Sequence, residues 1–188
     1  MLSVLSIVVL LAQPAGPAPQ THTYRQVGDL ALQADVFRAP GDEIRPAILW
    51  IHGGALIMGH RTNVRRQHLE RYLAEGFLVI SIDYRLAPET KLPGILDDVD
   101  HAWNWIQQQG PKLFRIDPRR VAVIGHSAGG YLTLTTGHRQ RPRPRALVSY
   151  AGDSISIAAS AGFGPRKWAG SIRRLSRARL TRGRPFAT

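Results

Sequence analysis

Four short apolar runs set the main constraint on how this chain folds. Each is four to six residues long and carries no charge, and the runs occupy residues 47–51, 77–82, 121–124 and 146–150. Runs of this kind are typical of strands covered on both faces, as in a parallel sheet. Between them, residues 63–75 and 95–109 place apolar side chains at helical spacing. The alternation predicts an α/β fold, with a mostly parallel sheet and helices on both faces.

A segment with a different pattern precedes this series. Apolar residues occupy every second position from Leu30 to Val36, and Pro40 and Gly41 end the pattern. Alternation with a period of two predicts a strand with one buried face and one wetter face. We expect this strand to belong to an antiparallel hairpin at the edge of the sheet.

Length and composition limit the class of protein. A chain of 188 residues suits one domain, and 44% apolar with 20% charged residues is typical of a globular protein. No apolar run approaches the roughly 18 residues that a membrane-spanning helix needs, so no stable membrane span is expected. The chain has no cysteine, which excludes a disulfide scaffold, a thiol nucleophile and a cysteine-ligated metal.

The amino-terminal end differs from this middle part. Residues 1–12 form an apolar run long enough for the core of a signal peptide, and residues 13–20 are rich in Pro and Ala. We therefore predict that residues 1–20 are a signal peptide and linker, and that the protein is secreted or periplasmic. A cytoplasmic location is the alternative. Residues 21–152 are predicted to form the folded domain.

Positive charge concentrates at the carboxyl-terminal end. Residues 152–188 hold eight basic residues against Asp153 alone, a net charge of +7 out of +12 for the chain, and show no strand pattern after Ile157. We predict a disordered or non-native basic tail over residues 153–188, produced by truncation and a shift of reading frame. The alternative is a basic helix over residues 173–184 that binds nucleic acid or anionic lipid. No nucleic-acid motif accompanies it, so no nucleic-acid partner is expected.

The motif GHSAGG at residues 125–130 follows the third apolar run directly. Where a strand turns abruptly into a helix, glycines are needed on either side of the turn, because a β-carbon would collide with the neighbouring strand and helix. We expect this turn to hold the Ser127 hydroxyl above the sheet, at a helix amino terminus whose NH groups can stabilise an oxyanion. The alternative is a tight glycine-rich turn with an idle serine.

A second glycine-rich turn, HGGA at residues 52–55, follows the first apolar run. Glycines let the backbone approach a ligand closely, and unpaired NH groups can hold a developing negative charge. Both turns follow strands of one parallel sheet, so we expect them to meet at its carboxyl edge. A phosphate-binding loop is excluded, because neither glycine-rich nucleotide motif is present.

With DYRLAPE at residues 83–89 between them, these motifs resemble the α/β-hydrolase esterases and lipases of the hormone-sensitive lipase type. The resemblance covers about residues 45–152. It implies an α/β-hydrolase fold whose C-terminal strands are missing here. It also implies a serine hydrolase that acts on small-molecule carboxylic esters without a metal or an organic cofactor.

The resemblance also assigns roles to individual residues. Ser127 is the implied nucleophile, and His52 is implied to orient its loop rather than to act as a base. The implied oxyanion hole consists of Gly53, which shapes the loop, and the NH groups of Gly54, Ala55 and Ala128.

Charged and histidine residues elsewhere are interpreted as structural. An ion-pair and turn network is predicted for Asp83, Arg85 and Glu89. Three carboxylates are predicted to lie near the start of a helix and to interact favourably with its dipole, namely those of Asp97, Asp98 and Asp100. No metal site is expected from them. Surface positions are predicted for His22, His60, His68 and His101.

The catalytic acid and base pose the main problem for an esterase. In an α/β-hydrolase both follow the serine in the chain, and here Asp153 is the candidate acid and His138 the last histidine. His138 is expected about 16 Å from Ser127, at the far end of a helix, so no base is identified. We therefore expect a catalytically crippled chain. The alternatives are a non-catalytic α/β-hydrolase-like binding protein, or a basic tail that binds an anionic partner.

Overall fold

The computed structural model describes residues 18–151 and 154–159. Within them, the strands are β1 (Gln20–Val27), β2 (Leu30–Phe37), β3 (Arg45–Ile51), β4 (Leu78–Ile82), β5 (Ile116–His126), β6 (Ala146–Ala151) and β7 (Ser154–Ala159). The helices are α1 (Arg66–Ala74), α2 (Leu92–Phe114) and α3 (Ala128–Arg139), with a short 3₁₀ helix, η1 (Arg61–Asn63).

All described strands belong to one sheet, in the order β1-β2-β4-β3-β5-β6-β7. The four central strands are parallel, as the apolar runs predicted. The hairpin of β1 and β2 lies at one edge and joins β4 in antiparallel orientation, which confirms the predicted edge hairpin. Since β3, β4, β5 and β6 are parallel, their carboxyl ends, and the loops that follow them, lie at one edge of the sheet.

Helices cover both faces of the sheet, which explains the uninterrupted apolar runs. On β3, Leu49 packs in the cluster that contains Trp103 of α2. The next residue, Trp50, packs in the opposite cluster with Tyr72 of α1. Successive side chains of one strand thus enter two different cores. The α/β fold with helices on both faces is confirmed.

A buried carboxylate on α2 organises the charges beside the sheet. Asp98 is fully buried and accepts two hydrogen bonds of 2.8 Å from the Arg85 guanidinium. It also accepts one of 2.6 Å from Arg25 of β1. A network among Asp83, Arg85 and Glu89 was predicted, but its ion pairs are made with other residues. Arg85 pairs with Asp98, and Asp83 pairs with Arg61. The helix-dipole interpretation of Asp97, Asp98 and Asp100 is wrong, because α2 has no acidic residue in its first turn.

The sheet continues beyond the position where the sequence placed the start of a basic tail. Residues 154–159 form β7, which pairs antiparallel with β6. The predicted boundary at residue 152 lies between these two strands in the chain. The predicted signal peptide, apart from residues 18–20, and the predicted tail beyond residue 159 lie outside the described residues. None of the helices that the structure describes combines the length and apolar character needed to cross a bilayer.

We predict that Asp98→Asn lowers the free energy of unfolding by about 3–5 kcal/mol, because it leaves two guanidinium groups beside a neutral amide in a buried position. The matched control is Asp97→Asn. Asp97 also pairs with Arg25, but its side chain is 48% exposed, so the loss should stay below about 1 kcal/mol. Urea unfolding followed by circular dichroism measures both. Equal losses in the two variants would contradict this role for Asp98.

Candidate active site

Ser127 lies on the sharp bend between β5 and α3. Its backbone has φ 55° and ψ −119°, a conformation that residues with a β-carbon seldom adopt. The Ser127 N–H donates to the Tyr150 carbonyl at 2.7 Å, and its carbonyl accepts the Tyr131 N–H at 3.1 Å. The bend is thus held from β6 on one side and from α3 on the other. The side chain of Ser127 is exposed, as the strand–turn–helix prediction required.

The glycines around Ser127 allow α3 to pack directly on the strands. A β-carbon on Gly125 would lie 2.1 Å from the Gly129 carbonyl oxygen, and one on Gly129 would lie 2.2 Å from the Ile51 carbonyl oxygen. Both distances are far inside van der Waals contact with backbone atoms that have no freedom to move away. The predicted reason for these glycines, a collision of the β-carbon with strand or helix, is confirmed.

The glycine loop after β3 touches the Ser127 bend. A β-carbon on Gly53 would lie 2.6 Å from the His126 carbonyl oxygen and 3.3 Å from Cβ of Ser127. Gly54 has φ +116°, and its carbonyl accepts the N–H groups of Ile57 and Met58, both at 3.0 Å. The two sequence motifs, far apart in the chain, therefore meet at one edge of the sheet.

Three backbone N–H groups near this contact make no hydrogen bond within residues 18–151 and 154–159. They belong to Gly54, Ala55 and Ala128. Ala128 is the first residue of α3, so its N–H has no intrahelical acceptor. Ala55 has φ 53°, which turns the loop without a glycine at that position. Their role as oxyanion donors stays a prediction.

His52 is a buried residue that holds the glycine loop in place. It is 2% exposed, its ring stacks on Tyr84 with 4.2 Å between centroids, and its Nδ1 lies 2.8 Å from the Gly53 carbonyl oxygen. The Tyr84 hydroxyl donates to the His52 carbonyl at 2.9 Å. Burial lowers the pKa of His52 below its usual value, which keeps the ring neutral. These contacts hold the loop, as the resemblance to esterases and lipases implied.

Ser127 and the glycine loop border a cavity of about 580 Å³. Its other lining residues include Trp50, Met58, Asn63, Arg65, His68, His126 and Tyr150. The surface prediction for His68 is wrong, because its ring is half-buried and lies near Trp50 and Tyr72, at centroid distances of 6.0 and 6.3 Å. His68 lies one helical turn before Tyr72. This spacing is the sequence signal, overlooked in the prediction, that puts His68 on the apolar face of α1.

His22 is a second histidine whose predicted surface position is wrong. It is half-buried, and its ring lies 4.9 Å from that of Phe114. His60 and His101 are exposed, as predicted.

The Ser127 hydroxyl makes no hydrogen bond to any residue that the structure describes. His138 is exposed in the last turn of α3, as its spacing predicted. No carboxylate lines the cavity among the described residues, and the candidate acid Asp153 lies outside them. The same residues contain no cluster of His, Asp and Glu that could hold a metal ion. Within the described residues, the site therefore joins an exposed serine to backbone N–H groups, with no acid–base pair attached to the serine.

Comparisons with known proteins bear on the family and the fold. Residues 48–164 match the family described as alpha/beta hydrolase fold. A non-reducing polyketide synthase of Stereocaulon alpinum is 39% identical over 126 residues, which are 62% of this chain and 5% of that protein. One of Emericella nidulans is 39% identical over 146 residues, 71% of this chain and 6% of that protein. This chain therefore spans a small fraction of the length of these relatives.

Two solved structures with a similar fold are named as esterases. An esterase of Thermogutta terrifontis superposes with a TM-score of 0.56 at 26% identity, and the match covers 62% of this chain and 42% of the esterase. A bacterial heroin esterase superposes with a TM-score of 0.55 at 32% identity, and that match covers 65% of this chain and 39% of the other.

The buried His52 leads to a prediction about pH. Its pKa is below 6.5 in the folded protein and close to 6.5 in the unfolded chain, so protonation favours the unfolded state. The free energy of unfolding should decrease as the pH falls below about 6.5, until the folded pKa is reached. His52→Gln cannot be protonated and should lose this part of the decrease. Urea midpoints at several pH values measure it.

The control for this prediction is His138→Gln, which removes an exposed histidine and retains His52. It should keep the decrease seen in the parent protein. A pH profile of His52→Gln parallel to that of the parent would show that His52 is not responsible.

Proposed function

The chain belongs to the α/β-hydrolase fold family, and from that premise we propose that it is a carboxylic ester hydrolase that uses Ser127 as its nucleophile. The observation that carries the proposal is the contact between Gly53 and the Ser127 bend. It brings an exposed hydroxyl to backbone N–H groups without an acceptor. A nucleophile beside free donors is the arrangement that acyl transfer needs.

In this proposal Ser127 Oγ attacks the carbonyl carbon of the ester. The carbonyl oxygen becomes an oxyanion and accepts hydrogen bonds from Gly54, Ala55 and Ala128. The bond to the alcohol oxygen then breaks, the alcohol leaves with a proton, and water hydrolyses the acyl-serine to the acid. Removal of one oxyanion donor slows such reactions by roughly 10²–10³. The strained Ser127 backbone keeps the hydroxyl at the mouth of the cavity.

The size of the cavity and the names of similar proteins support a small-molecule ester as the substrate. About 580 Å³ lies within the range of roughly 300–1,000 Å³ that is usual for small-molecule sites. Two proteins of similar fold are named as esterases. The polyketide synthase relatives are far longer than this chain, so their overall activity does not enter the proposal.

We expect weak turnover from this chain. Among the described residues, no imidazole or carboxylate is hydrogen-bonded to the Ser127 hydroxyl, so proton removal from Oγ has no assigned acceptor. The oxyanion donors and substrate binding alone support only a small part of the rate of a complete serine hydrolase. The same observation favours a second candidate, a non-catalytic binding protein that uses the cavity without cleaving its ligand.

Covalent labelling separates these two candidates. We predict that a fluorophosphonate probe modifies Ser127 in the full chain, and that Ser127→Ala abolishes the modification. Ser156→Ala, which removes another exposed serine, should leave labelling unchanged. Mass spectrometry of the intact and digested protein identifies the modified residue. Absence of any label on Ser127 would favour the binding protein, and rapid hydrolysis of a nitrophenyl ester would contradict the expected weak turnover.

The glycine loop provides a separate prediction. Gly53→Ala places a β-carbon 2.6 Å from the His126 carbonyl oxygen, so the loop must move away from Ser127. We expect labelling of Ser127 to slow by about 100-fold, the effect of losing one oxyanion donor. Gly28→Ala is the control. Nothing lies within 4 Å of its β-carbon, and its positive φ costs about 1–2 kcal/mol of stability without touching the site. Equal labelling rates in the two variants would contradict the loop's role.

A further inference from the structure

Asn63 and Arg65, at the junction of η1 and α1, form part of the wall of the Ser127 cavity. Neither belongs to the sequence motifs around the serine or the glycine loop, and both side chains are exposed. Their hydrogen-bonding state indicates what the cavity can recognise beyond the ester group itself.

The side-chain amide of Asn63 is oriented by the backbone. Its Oδ1 accepts the His60 N–H at 2.6 Å, which assigns the other end of the amide as the NH₂ group. That nitrogen donates to no residue within the described ranges. Asn63 therefore offers two N–H donors at a fixed position in the cavity wall.

Arg65 differs from the arginines on either side of it. Arg61 pairs with Asp35 and Asp83, and Arg66 pairs with Glu70. The Arg65 guanidinium has no carboxylate partner in the described part of the chain. None of the described residues that line the cavity is an Asp or a Glu, so the positive charge of Arg65 is not balanced there.

From these two groups we infer that the cavity takes esters that carry a carboxylate at the end remote from the ester bond, for example monoesters of dicarboxylic acids. The inference rests on the hydrolase function proposed above. The Arg65 guanidinium binds the free carboxylate, for which its planar fork of donors is suited, and the Asn63 amide adds a hydrogen bond. Hydrolysis of the ester bond by one water then releases the alcohol and a dicarboxylic acid, with no change of oxidation state.

The test measures binding without chemistry. In the Ser127→Ala variant of this chain, nuclear magnetic resonance titration gives the affinities of monomethyl glutarate and of its neutral analogue, in which an amide replaces the carboxylate. At an ionic strength of about 0.01 M, where charges are weakly screened, we expect the anionic ligand to bind about fivefold more tightly. Equal affinities in this protein would overturn the inference.

Variants of neighbouring arginines show whether Arg65 is responsible. In the Ser127→Ala background, Arg65→Ala should abolish the preference for the anionic ligand, and Arg65→Lys should retain part of it. Arg66→Ala removes the next arginine, whose partner is Glu70, and should retain the preference in full. A preference that survives Arg65→Ala would overturn the assignment.

Labelling of Ser127 and ligand preference can fail separately. Labelling without an anionic preference would leave the hydrolase proposal standing and reject the carboxylate subsite. An anionic preference without labelling would reject the hydrolase and leave a binding site for carboxylates.

Discussion

The structure depends on three places where backbone meets backbone with no room for a β-carbon. Gly125 faces the Gly129 carbonyl, Gly129 faces the end of β3, and Gly53 faces the His126 carbonyl. Together these contacts join two strands, one helix and one loop at a single point. A β-carbon at any of these positions would clash with a backbone oxygen and force the neighbouring segments apart. The chemistry available to the site is therefore set by close packing of the main chain.

The segment after β4 supports this contact from a third strand. Tyr84 stacks on His52 and holds its carbonyl, and the Ala87 N–H donates to the Leu56 carbonyl at 2.8 Å. Arg85 lies between Tyr84 and Ala87 in the chain. Its backbone N–H and its guanidinium both donate to the buried Asp98 of α2. A carboxylate in the helical layer thus positions the DYRLAPE segment, and this segment in turn positions the glycine loop. This explains why a charged motif lies beside an uncharged loop.

The sequence predicted the parts of the fold that depend on local pattern. Apolar runs without charge marked the parallel strands, and the glycines around Ser127 marked the bend, because both signals lie within a few residues. Partners distant in the chain were not predictable, such as Arg25 with Asp98, which are 73 residues apart. The end of α2 was also missed. The helix continues through Gly110 and Pro111 to Phe114, because Phe114 and Ile116 are buried in the core, and packing outweighs the usual helix-ending signal.

The balance of charge in the cavity bears on both proposals. Several groups of its wall that lack a partner in the described chain are donors, namely the loop amides, the Asn63 amide and the Arg65 guanidinium. Such a site stabilises negative charge on a bound oxyanion or carboxylate. In the proposed hydrolase, however, transfer of the serine proton to an imidazole creates a further positive charge, which serine hydrolases stabilise with a carboxylate behind the histidine. No carboxylate lines the cavity among the described residues. The same electrostatics that favour an anionic ligand therefore oppose efficient activation of Ser127, so binding should exceed turnover.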